Sequence, residues 1–528
     1  MSRVVSVKTV ALLGLEGQIV SVEAHCAQGL PAITLVGLPD AALREAKDRV
    51  KAAASCCQYP IGRRKITVNL SPADLPKTGS SFDLPIAVAV LWAEHGFPMH
   101  LLKERGFLGE LGLDGSLHPV KGVLPAVRAA KETGIREIVV PLANLPEARL
   151  VSGIVVRGYR HLGELLNDCG INVDHNIWAK SAAFVSDVNM SVSSSSETNN
   201  KHSSVKNTVD LSQVRGQTLA RMGLEIAAIG GHHLLMVGVP GAGKTMLAKC
   251  LPTIMPPLTE TEAVTVTSIH SVFGTQQAVQ KLINIPPFLA PHHSASLPAL
   301  VGGGAPVPKP GLISLAHHGV LFLDEAPEFS PRALDSLRQP LEEGKVTISR
   351  SRLSVDYPAR FQLVMAANPC PCGNAMSRGV ACTCTVAMRR RYGQRLSGPL
   401  LDRIDMQVVV EPLTAADLEY SNVPESSEQV AQRVLEARER AIYRLKDTPW
   451  NSMREVPGAA LASLGRGVTA DLLAGLHRGV SRGSLSMRGM ERVLKVAWSV
   501  ADSRGHDTPD GDDIGFAMSL RQQGKTYV

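Results

Sequence analysis

The chemistry of this chain gathers at Gly238-Val-Pro-Gly-Ala-Gly-Lys-Thr245, which follows the apolar run His233-Leu-Leu-Met-Val237 and precedes Met246-Leu-Ala-Lys-Cys250, a helix start. Strand, glycine-rich turn and helix form the setting in which a G-x-x-x-x-G-K-[ST] pattern binds phosphate. Gly238, Gly241 and Gly243 let backbone N–H groups approach phosphate oxygens with no Cβ in the way, and the following helix offers its positive end. Val239, Pro240, Ala242 and Met246 complete the predicted cradle. Lys244 would reach the β- and γ-phosphates of ATP, and the Thr245 hydroxyl would ligate Mg²⁺. The alternative is an ordinary glycine-rich turn, which the full pattern in this setting disfavours.

Hydrolysis needs acids as well as a cradle. Gly319-Val-Leu-Phe-Leu-Asp-Glu325 reads as a buried strand ending in paired carboxylates. Asp324 would hold the Mg²⁺ shell, and Glu325 would orient and deprotonate the attacking water. A third strand, Phe361-Gln-Leu-Val-Met-Ala-Ala367, ends at Asn368, a polar side chain suited to positioning that water. Ser397-Gly-Pro-Leu-Leu-Asp-Arg-Ile-Asp405 supplies Arg403. At a subunit edge such an arginine can stabilise charge on a neighbour's γ-phosphate. Its alternative is a surface ion pair with Asp402 or Asp405.

Two further patterns bear on a substrate and on a metal. Lys345-Val-Thr-Ile-Ser-Arg-Ser-Arg-Leu-Ser-Val-Asp-Tyr-Pro-Ala-Arg360 reads as a β-hairpin with Lys345, Arg350, Arg352 and Arg360 against Asp356, a net of +3. In a ring such hairpins would point into the pore, where Lys345, Arg350 and Arg352 could track a phosphate backbone. A solvated hairpin with scattered charge is the alternative. Arg389-Arg-Arg-Tyr-Gly-Gln-Arg395 is a second basic cluster. Between them lie Cys370-Pro-Cys372 and Cys382-Thr-Cys384, two pairs able to give four thiolates to a structural Zn²⁺. The C-x-C spacing is tighter than the usual C-x-x-C, and free thiols are the alternative.

The elements that must position these residues divide into four stretches. With 528 residues, 44% hydrophobic and 20% charged, the chain reads as a globular protein of roughly two to four domains. No long apolar run predicts a membrane span, and the alternating N-terminus lacks a signal peptide's apolar core, so a cytoplasmic, membrane-free protein is expected. A net charge of +7 permits nucleic-acid binding without requiring it. Nine cysteines in such a chain are not expected to form disulfides.

Residues 1–173 read as an α/β domain. Its strands are Gly17–Ala24, Ala32–Val36, Lys65–Leu70 and Glu137–Pro141, with helices from Pro39 to Ala54, opened by Asp40, and from Gly122 to Gly134. Residues 174–208 are serine-rich and read as a flexible linker. Residues 209–412 form the nucleotide-binding α/β core, approached by a helix over Val214–Ala228. Residues 413–528 are helix-rich, with amphipathic helices over Ser426–Lys446 and Leu485–Ala501.

In the first domain, Pro72-Ala-Asp-Leu-Pro-Lys-Thr-Gly-Ser-Ser-Phe-Asp-Leu-Pro85 and Gly109-Glu-Leu-Gly-Leu-Asp-Gly115 resemble the proteolytic domain of Lon. There a serine is activated by a lysine, which needs both within hydrogen-bond reach. Ser81 falls at the serine position. The lysine should follow Gly122, where this chain has Val123-Leu-Pro-Ala126, and Lys121 stands on the other side of the glycine. A Lon-like fold without peptidase activity is expected, and an ATP-dependent protease is the minor reading.

Pro291-His-His-Ser-Ala-Ser296, Val301-Gly-Gly-Gly304, Ile313-Ser-Leu-Ala-His317, Leu323-Asp-Glu-Ala-Pro-Glu-Phe329, Asn368-Pro-Cys-Pro-Cys-Gly373 and Ser397-Gly-Pro-Leu-Leu-Asp-Arg403 resemble the magnesium-chelatase-like AAA+ ATPases, within them the ComM/YifB branch. The Lon-like domain marks the same branch, and Ala326 departs from an expected leucine. The resemblance implies an α/β fold of Lon-like domain, AAA+ core and C-terminal helical lid. It places Asn368 at the sensor 1 position and Arg488 at that of the sensor 2 arginine, with Arg492 the competitor. It also implies a homo-oligomeric ring, a hexamer, working on single-stranded or branched DNA as a helicase driving branch migration in DNA uptake. A chelatase-type ATPase remodelling a protein partner for metal insertion is the alternative.

Overall fold

The computed structural model describes residues 3–37, 40–73, 75, 77, 79–176, 209–274, 281–304, 307–350, 353–377, 380–412, 424–450, 452–464, 467–483 and 485–522. The expected linker therefore falls, over 177–208, outside the described residues.

The first domain is built on a mixed seven-stranded sheet. In spatial order its strands are Ala32–Val36, Lys65–Ser71, Glu16–Ala27, Arg3–Leu13, Arg105–Phe107, Glu137–Pro141 and Val155–Tyr159. The helices Asp40–Cys56 and Asp83–His95 join one apolar core, and Val123–Glu132 joins another that includes Val10, Ile138 and Val140. Alternation along the strands makes two cores possible, because successive side chains point to opposite faces. Arg3–Leu13 and Glu16–Ala27 meet in a two-residue turn, Gly14-Leu15. Gly14 has φ +67° there, and a Cβ on it would stand 2.7 Å from Val355 Cγ1, so glycine is required twice over.

That turn forms one seam with the second domain, over 209–412. Leu13 and Leu15 pack against the cluster holding Val355 and Tyr357. At the other seam the Gly122 N–H bonds Ser271 O (3.2 Å), Lys121 Nζ donates to Phe273 O (3.3 Å), and the Ser271 hydroxyl donates to buried Glu147. Burial pushes the Glu147 carboxyl above the ordinary carboxylate range, against the Ser271, Leu124 and Asn144 bonds.

The second domain holds a five-stranded parallel sheet in the order Phe288–Leu289, Val320–Leu323, Gln362–Ala367, Leu234–Gly238, Met406–Val410. Leu234, Met236, Phe322, Val364 and Val408 face one core, while Leu235, Val237, Leu321, Leu363 and Met365 face the other. The first core receives the helices Thr218–Gly230, Lys244–Ile254, Ser427–Leu445, Met487–Arg504 and Gly511–Gln522. The helix expected from Val214 begins only at Thr218. Gly216 and Gln217 have φ +59° and +56°, which breaks the run and aims the Gln217 amide at Ala242 O (3.4 Å) and Glu411 O. Among the described residues no helix is long and apolar enough to cross a membrane.

The helical domain is tied to the base of the sheet by one buried carboxylate. Asp405 accepts the His233 N–H (2.8 Å) and pairs with Arg492. Beside it, buried His232 shares a 2.8 Å hydrogen bond with Ser499 of the helix Met487–Arg504. Burial pushes the His232 imidazole down from 6.5 to about 4, with Asp405 opposing and Lys495, Arg492 and Arg454 adding to the fall. The unfolded chain therefore takes up this proton first. The stability contributed by neutral His232 is whole above pH about 6.5 and is lost as the pH falls toward 4. The urea midpoint of the core should fall across that window, and His232→Gln should flatten the fall. A variant with the parental pH dependence would remove His232 from this role.

Candidate functional site

The phosphate loop leaves the C-terminal end of the strand Leu234–Gly238 and enters the helix Lys244–Ile254. Gly241 (φ +78°) and Gly243 (φ +92°) take the left-handed turns that the motif requires. At Gly238 a Cβ would stand 2.4 Å from Val410 O, so the loop's exit is closed to any other residue.

Lys244 is buried, and its ammonium spends all three donors inside the loop's surroundings: Gly238 O at 2.7 Å, Val239 O at 2.9 Å and Asn368 Oδ1 at 3.1 Å. Burial lowers its pKa, with Asp324 and Glu325 opposing. The Thr245 hydroxyl donates to Asp324 Oδ2 at 2.8 Å, which puts the two expected Mg²⁺ ligands together. Glu325 follows in the left-handed region (φ +50°), exposed at the strand end. That backbone is unusual for a non-glycine residue, and such strain collects where side-chain aim matters. Thus the structure unites Lys244, Thr245, Asp324, Glu325 and Asn368 at one sheet edge. The donor set fits a nucleoside triphosphate with Mg²⁺: an ammonium, backbone N–H groups at a helix start, a hydroxyl and two carboxylates.

One neighbour was missed from sequence. His293 Nδ1 stands 3.7 Å from Glu325 Oε2, and its ring lies against His292 (centroids 4.1 Å apart). Paired polar rings just past the carboxyl end of a parallel strand, Phe288–Leu289, were the available signal.

The cysteines close into one cluster. Cys370, Cys372, Cys382 and Cys384 have their sulfurs within 4.8 Å of one another, with separations of 3.4, 3.6 and 3.5 Å among the first three. A disulfide would need about 2.05 Å. A tetrahedral Zn²⁺ with bonds of about 2.3 Å would set them roughly 3.8 Å apart, so the cluster fits such an ion.

Family comparisons fall on the same segments. The family described as "Magnesium chelatase, subunit ChlI" matches residues 210–418, "Subunit ChlI of Mg-chelatase" matches 22–144, and "Magnesium chelatase, subunit ChlI C-terminal" matches 424–521. A Mycobacterium tuberculosis protein is 46% identical over 516 residues, 98% of both chains. YifB of Escherichia coli is 41% identical over 518 residues (98% of this chain, 96% of YifB). Competence protein ComM of Haemophilus influenzae is 40% identical over 519 residues (97% of this chain, 96% of ComM). The chain belongs to the YifB/ComM family of magnesium-chelatase-like proteins.

As an AAA+-type, ComM-like protein it carries two further candidate arginines. Arg403 is mostly buried, bonds Pro399 O at 2.6 Å and pairs with Glu342. The alternative reading, an ion pair with Asp402 or Asp405, is met in kind but with Glu342 as the partner, because Asp405 is taken by His233 and Arg492. Arg488 is exposed, one helical turn before Arg492. Arg492 meets Asp405 at the N-terminal end of Met406–Val410, whereas the phosphate loop leaves the C-terminal end of its parallel neighbour. Five residues at about 3.3 Å each put those edges roughly 16 Å apart.

On the hairpin, Val346, Ile348, Val355 and Tyr357 are buried and Lys345 faces out, paired with Asp356 at 2.6 Å. The Arg350 side chain and all of Arg352 lie outside the described residues. In the first domain Ser81 sits half-buried in the turn Ser80–Phe82, while Lys121 points to Phe273 O across the seam.

The site geometry sets two expectations. Glu325→Gln should keep nucleotide binding and cut ATP turnover about 10²–10⁴-fold, the usual weight of a general base. Lys244→Ala should weaken binding itself. Equilibrium binding of a labelled nucleotide beside steady-state turnover separates the two, and normal turnover in Glu325→Gln would remove its assignment.

Proposed function

We propose that this protein is an ATP-hydrolysing AAA+ motor that works on DNA, a ComM-like helicase that drives branch migration as a homo-hexameric ring in the cytoplasm. The convergence of Lys244, Thr245, Asp324, Glu325 and Asn368 on one sheet edge carries the ATPase reading. In catalysis Lys244 exchanges its carbonyl partners for the β- and γ-phosphates, Asn368 positions the attacking water, and Glu325 takes its proton. Mg²⁺ held by Thr245 and Asp324 would neutralise charge between the phosphates. Arg403 serves a neighbouring protomer after exchanging Glu342 for the γ-phosphate, and Arg488, exposed on its helix, is free to act between subunits. The four thiolates hold a structural Zn²⁺. The first domain serves as a scaffold without peptidase activity.

The DNA reading rests on the exposed face of the hairpin and on the competence name of a relative. A second reading, remodelling of a protein partner, draws on the chelatase descriptions and on the Lys345–Asp356 pair, which already satisfies one of the hairpin's charges. Stimulation of ATP turnover by single-stranded, duplex or forked DNA separates them.

If the hairpin tracks phosphates, replacing Lys345, Arg350 and Arg352 with Ala should leave basal ATP turnover intact. DNA stimulation and strand displacement should fall together, evenly across sequences, because phosphate contacts carry no base information. The slope of log affinity against log salt should flatten by about two to three units, at roughly 0.7–0.9 per contact. Normal unwinding of forked DNA with an unchanged slope would return the partner-remodelling reading to the front.

A further inference from the structure

The cysteine cluster lies on the same loop as Asn368, two residues beyond it, and the loop touches the ATP site in two places. Asn368 Oδ1 accepts from the Lys244 ammonium at 3.1 Å. Gly373, whose N–H closes a turn onto Cys370 O at 3.0 Å, presses against the phosphate loop: a Cβ there would stand 2.6 Å from Cγ and Cδ of Pro240. Past Cys384 the chain enters the helix Val386–Gly393, capped by Thr385.

The loop therefore leaves Asn368 beside Lys244, folds back on the phosphate loop at Gly373 and gathers its four sulfurs into one cluster. We infer that a zinc ion at Cys370, Cys372, Cys382 and Cys384 and the nucleotide at Lys244 bind cooperatively, each holding the loop Asn368–Cys384 in the shape the other needs. The inference rests on the zinc and nucleotide readings above and adds a coupling between them. Zinc clamps the loop so that Asn368 and Gly373 keep their places against Lys244 and Pro240. Nucleotide, by fixing Lys244 and the phosphate loop, holds the turn that carries Cys370 and Cys372.

Coupling between two sites is reciprocal, so the same factor must appear from either side. The test uses the full-length protein, a non-hydrolysable ATP analogue, Mg²⁺ in excess and a zinc-selective chelator. Metal analysis should return about one zinc per chain. Stripping the zinc should weaken analogue binding about tenfold, within the usual 5–150-fold range, and adding zinc back should restore it. Saturating analogue should make zinc harder to remove by that same factor, read as a shift in the chelator competition midpoint. The competition starts from loaded protein, so it reports even where the stripped chain loses structure. Gly373→Ala keeps every thiol, should retain its zinc, and should weaken the analogue and shrink the shared factor. Protein carrying no zinc overturns both the metal and the coupling. Zinc that leaves with no change in analogue affinity, or at a midpoint blind to the analogue, overturns the coupling and leaves the metal site standing.

Discussion

Everything at the nucleotide edge depends on where a buried ammonium finds its acceptors. Lys244 is out of water, and an ammonium in that position is costly unless each N–H is met. Two acceptors, Gly238 O and Val239 O, come from its own strand end. The third comes from Asn368, 124 residues away, delivered by the neighbouring strand Gln362–Ala367. Strand order is thus a condition of the site. With these two strands side by side the lysine is held ready at the loop, and an arriving phosphate has to offer more than two carbonyls. The lowered pKa of Lys244 marks the desolvation that keeps it responsive to a trianionic partner.

The opposite edge of the sheet obeys a different rule. Asp405, His232, His233, Arg454 and Arg492 form a buried polar knot through which the helical domain grips the base of the core. Around 16 Å of strand separates this knot from the phosphate loop. Of the two candidate arginines, Arg403 is engaged by Glu342, and Arg488 belongs to the helix that fastens the base.

Local chemistry was legible in the sequence wherever it was encoded over a few residues. The phosphate loop, the Asp324-Glu325 strand, Asn368, the cysteine spacing and the hairpin over 345–360 all follow from period, turn chemistry and punctuation. The α/β character of the core and the helical C-terminal domain followed as well, with boundaries moved by a few residues. Tertiary partners were not legible. Nothing near Arg403 announces Glu342, 61 residues upstream, and the spacing of Arg488 and Arg492 does not say which end of the sheet their helix reaches. Gln217 cut short a helix that its periodicity favoured, because its amide is wanted beside Ala242 and Glu411. His293 went unassigned because a histidine declares no role until a carboxylate stands beside it.

The two-residue tip Gly14-Leu15 rests on the hairpin over 345–358, with Leu13 and Leu15 completing the apolar cluster around Val355 and Tyr357. A chain cut within the 174–208 stretch would leave an apolar half of this seam bare on each piece, surface that the joined chain keeps from water. The first domain is in this sense part of the second domain's casing.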